Sequence, residues 1–428
     1  MLVLSITALM LVLLALGVPV GFAMAIAGTL GLYLFGGTHM VLGILDTTPL
    51  TTASVYELVT VPMFLLMAEL VLASGVADDL FKTASAWLSR VRGGLGMATA
   101  LAGAGFAAIC GSSTGSAATL ASTTLPAMIR EGYDSKMAAG VVAISGTLAI
   151  LIPPSVGMIV YGFMAEVSIA KLFIAGVIPG ILVMLTIMAT VWVLVTIYPD
   201  DAPKTRSVPM RERLVLLWGV LPTLFLFGAM TVAIYTGMTT PTEASALAAL
   251  LALILLVFRG RATLPVLWAA FSRATLTSCM IIMIILGAHI FGYFVIVTQM
   301  TQDIISFVGG LHAPPLLILL LLILGYIILG MFLDQMAILV LTVPIVVPLV
   351  ASLGYDLIWF GVIMIVVSEV GMVTPPMGLN CFVVARYADR PLSEVFIGVF
   401  PHVLAHLLVI AILIAFPMLV MWLPNQMQ

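Results

Sequence analysis

Two stretches of this chain, 222 residues apart, carry the same helix-breaking residues inside otherwise apolar sequence. The first has Pro126, Gly132-Tyr133-Asp134, Pro153-Pro154, Gly176 and Pro179. The second has Pro348, Gly354-Tyr355-Asp356, Pro375-Pro376, Gly398 and Pro401, each at the same offset and without a gap. What repeats is a set of turn-makers, so a backbone path is duplicated rather than a composition. Repeated, interrupted membrane segments point to a carrier whose binding site lies at the repeat interface.

The surrounding sequence fits a membrane solvent. It is 63% hydrophobic and 8% charged, where a soluble domain has about 25% charged residues. Many apolar runs reach the roughly 20 residues that span a bilayer. Their lack of alternation excludes a β-barrel, which leaves an all-α polytopic membrane protein. No basic block suggests nucleic acid. Cys110, Cys279 and Cys381 show no paired spacing, so no disulfide framework or zinc site is expected. The first 16 residues lack a basic n-region and read as membrane helix rather than a cleaved signal.

Apolar segments fall at about 1–35, 59–76, 96–129, 137–164, 172–198, 214–236, 243–258, 274–298, 316–351, 357–385 and 395–423. The Gly17 to Gly21 break leaves the first as one kinked span or two short ones, and the side of the N-terminus stays open. Segments 96–129 and 316–351 are too long for one span and have polar middles, Gly111 to Ser116 and Asp334-Gln335. Both are expected to be re-entrant helical hairpins. Non-helical backbone at that depth is tolerated where it is buried in protein or lines a wet cavity.

Basic clusters occur at 82–92, 130–136, 204–213 (Lys204, Arg206, Arg211, Arg213), 259–273 and 386–390. Loops 36–58, 236–242 and 299–315 have none. Placing the clusters in the cytoplasm leaves Lys171 as the one outer basic residue. Five spans separate the hairpins, an odd number, so the repeat is expected to be inverted. The halves are 1–198 and 214–428, joined by a polar cytoplasmic linker at 199–213. In them the hairpins (about 96–129 and 316–351) precede Pro-Pro-broken helices (about 137–164 and 357–385).

The first tip, Cys110 to Thr119, gathers glycines with Ser and Thr hydroxyls. Such neutral oxygens suit a hard monovalent cation, and helix N-termini at a break suit anions. Close packing of small residues is the alternative. Each Pro-Pro pair removes two backbone donors, which frees carbonyls at 149–152 and 371–374. Two related cation sites follow, with water or the Ser155 and Thr374 hydroxyls as the other possible partners. Asp334, opposite Ser112 in the repeat, is an intramembrane carboxylate that supports a cation site, contacts substrate or locks its tip. Glu369, paired with Thr147, and Glu69, with no evident partner, are read as functional or as buried hydrogen-bonding groups. Thr240-Pro-Thr-Glu243 reads as an N-cap signal. His402 and His406 share a helical face without a third ligand, so no transition-metal site is expected. No HExxH, GxSxG or P-loop lysine occurs, and no histidine is placed to serve the serines of the first tip, so the chain is not read as an enzyme.

Taken together, several motifs resemble the large (DctM-like) membrane subunit of TRAP transporters, the tripartite ATP-independent periplasmic transporters. They are Phe106 to Ser113, Gly132-Tyr-Asp, Leu151 to Val156, Ile159 to Gly162, Ala175 to Gly180, Thr240 to Ala244, Gly330 to Asp334 and Thr374 to Asn380, in family order across nearly the whole chain. The resemblance implies an elevator-type carrier of the ion-transporter superfamily in the bacterial or archaeal inner membrane. It implies Na⁺-coupled import of small organic acids. The partners implied are a periplasmic substrate-binding protein and a separate four-helix small membrane subunit, since no such block precedes this N-terminus. Carried over, Ser112, Ser113, Thr114, Ser155 and Gly157 frame one Na⁺ site, and Asp334, Glu369, Thr374 and Gly378 the other. Ser112, Ser116, Asp334 and Asn380 are the substrate candidates. Cys110 and Ser368 depart from the family's usual serine and asparagine. A stand-alone Na⁺/dicarboxylate symporter of the same superfamily, a channel and an intramembrane enzyme are the other readings.

Overall fold

A computed structural model describes residues 1–203 and 208–427. Lys204 and Arg206 of the expected linker cluster lie outside the described residues. The described chain is helical from end to end. Eight helices are long and apolar enough to cross a membrane, or nine if Ser135–Leu151 and Val156–Met164, bent by 44°, count as one span. This bears out a polytopic, all-α membrane protein.

The first half runs through α1 (Leu2–Ala15), α2 (Val20–Ala53), α3 (Thr60–Ala73), α4 (Val76–Leu88), α5 (Gly94–Cys110), α6 (Ser113–Thr123), α7 (Leu125–Arg130), α8 (Ser135–Gly146), α9 (Leu148–Leu151), α10 (Val156–Met164) and α11 (Ile169–Ile197). The second runs through α12 (Met210–Tyr235), α13 (Pro241–Phe258), α14 (Leu264–Val297), α15 (Met300–Gly310), α16 (Pro315–Gly330), α17 (Gln335–Ser352), α18 (Leu357–Met372), α19 (Leu379–Ala388), α20 (Leu392–Ala415) and α21 (Met418–Met421). The repeated sequence is a repeated element order. Shifted by 222 residues, the start of α8 falls on the start of α18, and those of α10 and α11 fall within one residue of α19 and α20.

The Gly-Tyr-Asp triplets explain themselves locally. Gly132 and Gly354 adopt φ of 84° and 83° and end the preceding helices. The Tyr133 and Tyr355 amides then bond back to Met128 and Val350, a Schellman-type stop. Asp134 and Asp356 cap the next helices, each Oδ1 accepting from two backbone amides at 2.8–3.0 Å. The same three residues therefore end one helix and begin the next in both halves.

Two sets of helices, a frame and a core group, pack together and are joined by α3 and α4 against α5 and by α14 against α17. In the frame, α2 runs along α14, α3 packs on α13 and α14, and α12 packs on α4 and α13. Arg259 fastens it by pairing with Asp79 and donating to the Ser74 and Gly219 carbonyls. The core group holds the breaks: α6 packs on α8 and α19, α10 on α17, α16 on α18, and α20 on α8.

Four expectations change. The loop at 36–58 is largely helix, because α2 continues to Ala53 across a kink at Gly37 with φ 72°. The region 299–315 contains α15, and the basic stretch at 82–92 begins inside α4. Glu69 has a partner after all: Arg273 Nε donates to its Oε2 at 2.7 Å. The Gly17 break resolves into two helices, α1 and α2. Thr240 and Glu243 form the expected cap, as a reciprocal capping box.

Candidate functional site

Both long apolar segments are broken at their polar middles, between α5 and α6 and between α16 and α17. At the first break Gly111 takes φ 59° and ends α5. Ser112 caps α6, its Oγ accepting from the Gly115 amide at 3.4 Å. At the second break the equivalent residue, Asp334, caps α17, its Oδ2 accepting from the Met336 amide at 3.1 Å. Hydroxyl and carboxylate thus do the same local work, while only one of them brings charge. Both side chains are exposed.

The Pro-Pro breaks follow the same plan. Both Pro-Pro bonds are cis. After the first, Ser155 caps α10, accepting from the Met158 amide at 3.3 Å. After the second, Gly378 occupies the cap position at φ 53°. A Cβ there would lie 2.6 Å from Phe396 Cε1, so glycine is required by conformation and by space. Thr374 Oγ donates to the Val370 carbonyl at 2.6 Å, taking up one acceptor near the break. The environments differ: Pro153 and Pro154 are buried, whereas Pro375, Pro376 and Met377 are exposed.

Contacts tie the four starting helices into a ring. Ser113 and Asn380 join α6 to α19, Oγ to Nδ2 at 2.9 Å. The Gly378 amide donates to the Met331 carbonyl at 3.4 Å, joining the second break to the second tip. Gly157 at the start of α10 faces Leu339 of α17, with 3.6 Å from its Cβ direction to Cδ1. Gly111 at the first tip faces Val156 at the start of α10, with 3.1 Å to Cγ2. Four helix N-termini, those of α6, α10, α17 and α19, therefore meet around the breaks. Each carries unsatisfied amides and the positive end of a helix dipole. The C-termini of α5, α9, α16 and α18 lie at the same breaks and present carbonyls.

The sequence candidates distribute as follows. Ser112, Ser113, Thr114 and Ser116 sit on the first tip, Ser155 and Gly157 on the first Pro-Pro loop, and the two groups adjoin through Gly111 and Val156. Asp334 at the second tip adjoins Thr374 and Gly378 through Met331. Glu369 and Asn380 do not stand apart with the second tip alone, because both are bonded to Ser113 of the first, at 2.7 and 2.9 Å. Gln335 was missed as a candidate. It is 2% exposed, both amide atoms lack a hydrogen-bond partner, and it is the repeat equivalent of Ser113. The available signal was its place beside Asp334 in the polar middle of an apolar run.

The donor set is one of oxygens: hydroxyls, carbonyls released where prolines supply no N–H, and carboxylates. Glu369 Oε1 and Asn380 Oδ1 are buried acceptors without partners. Hard cations take oxygen ligands, so these residues fit an alkali-metal ion.

The comparisons agree with this architecture. The family model for the DctM component of the tripartite ATP-independent periplasmic transporters matches residues 7–419. The C4-dicarboxylate TRAP transporter large permease protein of Pseudomonas aeruginosa is 35% identical over 382 residues, 87% of either chain. The ectoine/5-hydroxyectoine large permease protein of Ruegeria pomeroyi is 31% identical, over 97% of this chain and 96% of its own. The sialic acid TRAP transporter permease protein of Haemophilus influenzae is 30% identical, over 97% of this chain and 67% of its own. Among solved structures, the YdaH transporter of Alcanivorax borkumensis superposes with a TM-score of 0.63 at 15% identity, covering 90% of this chain and 89% of its own. That likeness is one of fold. The relatives are permease subunits, not enzymes. With the family model spanning nearly its whole length, the chain belongs to the DctM component family of tripartite ATP-independent periplasmic transporters.

Proposed function

We propose that this subunit imports small organic acids across the inner membrane by a Na⁺-coupled elevator movement. The ring of four helix N-termini at the four breaks carries the reading, since it offers amides to an anion deep in an apolar protein. The relatives' named solutes, C4-dicarboxylate and sialic acid among them, support a carboxylate.

On this reading the repeat is inverted, and α5–α6 and α16–α17 are re-entrant hairpins. Ser112, Ser113, Thr114, Ser155 and Gly157 hold one Na⁺ and Asp334, Thr374 and Gly378 the other, with Glu369 standing behind Ser113 of the first tip. Bound Na⁺ supplies positive charge beside the carbonyl ends and Asp334, and links solute movement to an electrochemical gradient of about 2.3 kcal/mol per charge per 100 mV. Ser112, Ser116 and the helix N-termini orient the carboxylate, with Asn380 holding Ser113 behind them. The core group carries the site and the frame stays in the membrane. A periplasmic binding protein delivers the solute, and a separate small membrane subunit braces the frame.

Uptake into proteoliposomes containing the small subunit tests this. Replacing external Na⁺ by K⁺, with binding protein present, is expected to lower the initial rate at least roughly fivefold, as the loss of a favourable coupling of 1–3 kcal/mol requires. Unchanged uptake without Na⁺ would exclude Na⁺ coupling, and unchanged uptake without binding protein would exclude the delivery step.

A further inference from the structure

The polar residue that follows the first tip is held by the other half of the molecule. Ser113 Oγ donates to Glu369 Oε2 at 2.7 Å and accepts from Asn380 Nδ2 at 2.9 Å. Glu369 lies on α18 and Asn380 on α19, both in the second half. All three are at most 3% exposed. No ion pair involves Glu369 among the described residues. The Asn380 NH₂ donates to Ser113 Oγ, and the Ser113 proton is directed at Glu369 Oε2, with the Gly146 carbonyl as a longer second acceptor at 3.4 Å. Its neighbours on the tip have looser ties: Ser112 Oγ receives one amide at 3.4 Å and stands 3.5 Å from Thr114 Oγ.

The second tip lacks this clamp. Its equivalent of Ser113 is Gln335, buried and without a partner, and the repeat equivalents of Glu369 and Asn380 are Thr147 and Met158. Thr147 spends its hydroxyl on the Ile144 carbonyl at 2.6 Å. The cross-half chain is thus a feature of one tip in an otherwise duplicated backbone.

We infer that Glu369 and Asn380 are positioning residues that act through Ser113, so that the second half of the chain sets the oxygen geometry of the first tip. The inference rests on the Na⁺-coupled reading above. It adds that the first cation site is not self-contained in its own half, and that Glu369 contributes its hydrogen-bond acceptor rather than its charge.

The test uses the purified complex with its small subunit. Two quantities are measured: the Na⁺-induced shift of thermal unfolding, which reports binding without transport, and the Na⁺ concentration for half-maximal uptake. Glu369→Ala is expected to raise the half-saturating Na⁺ about tenfold, the effect of one lost buried hydrogen bond. Glu369→Gln keeps a carbonyl acceptor for the Ser113 hydroxyl, so it is expected to stay within about twofold of wild type. In a double-mutant cycle, Ser113→Ala with Glu369→Ala is expected to be little worse than either alone, because both remove the same link.

A Glu369→Gln variant as impaired as Glu369→Ala would overturn the inference and make the charge itself the ligand. Additive effects of Ser113→Ala and Glu369→Ala would also overturn it. Should Glu369→Ala fail to accumulate, Asn380→Ala tests the other arm, with a raised half-saturating Na⁺ expected and an unchanged one contradicting the inference. A wild-type complex with no Na⁺ response in either readout would remove the Na⁺-coupled reading itself, whereas a responsive wild type whose Glu369→Ala and Asn380→Ala variants keep its half-saturating Na⁺ removes only the positioning role.

Discussion

Asp334→Asn is expected to abolish uptake while leaving the fold intact. Asp334 does two things in one place. Its Oδ2 accepts from the Met336 amide at 3.1 Å and starts α17, and its charge stands exposed at a break in an apolar segment. Asparagine caps a helix about as well as aspartate. The substitution therefore keeps the first role and removes the second. Loss of a charged ligand is worth about 2–3 kcal/mol, or roughly a 30- to 150-fold lower initial rate. Thermal unfolding in detergent without Na⁺ should remain close to wild type. Asp334→Ala removes the cap as well and is expected to cost about a further 1 kcal/mol of stability. Wild-type uptake by Asp334→Asn would reduce Asp334 to a helix cap and leave the second Na⁺ site without its charge.

Gly398→Val is expected to have the largest effect on folding. Here α20 crosses α8 so closely that a Cβ on Gly398 would collide with the Lys136 carbonyl, and one on Gly140 with the Gly398 backbone. Small residues at crossings of this kind let two backbones touch. The neighbours are main-chain atoms, which cannot turn aside as a flexible side chain can. The helices would have to part, at a cost above about 4 kcal/mol, among the largest single-residue effects. The variant should fail to accumulate in the membrane or unfold at markedly lower temperature. Gly228→Val on α12, where nothing lies within 4 Å, is the control and should behave as wild type. Equal behaviour of the two would contradict the packing described. Gly176, the repeat partner of Gly398, also marks a close approach: its Cβ would lie 2.6 Å from the Leu151 carbonyl oxygen beside the first break.

These two positions show what could be read in advance. Turn-makers act on their own backbone, so Gly132, Asp134, Gly354 and Asp356 announced their stops and caps in the sequence, and the matched offset exposed the duplication. Membrane helices were legible because the solvent demands long apolar runs. Contacts between distant elements were not legible. Glu369 stands against Thr147 in the repeat, yet its hydrogen bond goes to Ser113, 256 residues away. The repeat relates positions by symmetry, and symmetry does not say that each tip helix packs on the post-break helix of the opposite half. Glu69 and Arg273 are separated by 204 residues, and nothing local in either segment signals their pairing. The stretch 36–53 was mistaken for a loop because Gly36-Gly37 and Pro49 mimic turn chemistry, yet α2 runs on through them with a kink at Gly37. Gln335 was overlooked because a lone amide in an apolar run gives no hint of whether it finds a partner.

In the proposed elevator movement the core group travels past the frame. Phe163 of α10 and His289 of α14 meet across that boundary, with ring centroids 5.5 Å apart. His289 is held on the frame side by Thr52, Oγ to Nδ1 at 2.8 Å. A cavity of about 950 Å³, lined in part by both residues, opens beside them. With Cys110, Cys279 and Cys381 replaced, Phe163→Cys and His289→Cys can be joined by a short thiol-specific cross-linker in proteoliposomes. Cross-linking is expected to stop uptake, with a reducible linker restoring it on cleavage and neither single cysteine responding. Full uptake by the cross-linked protein would contradict a core that travels past the frame.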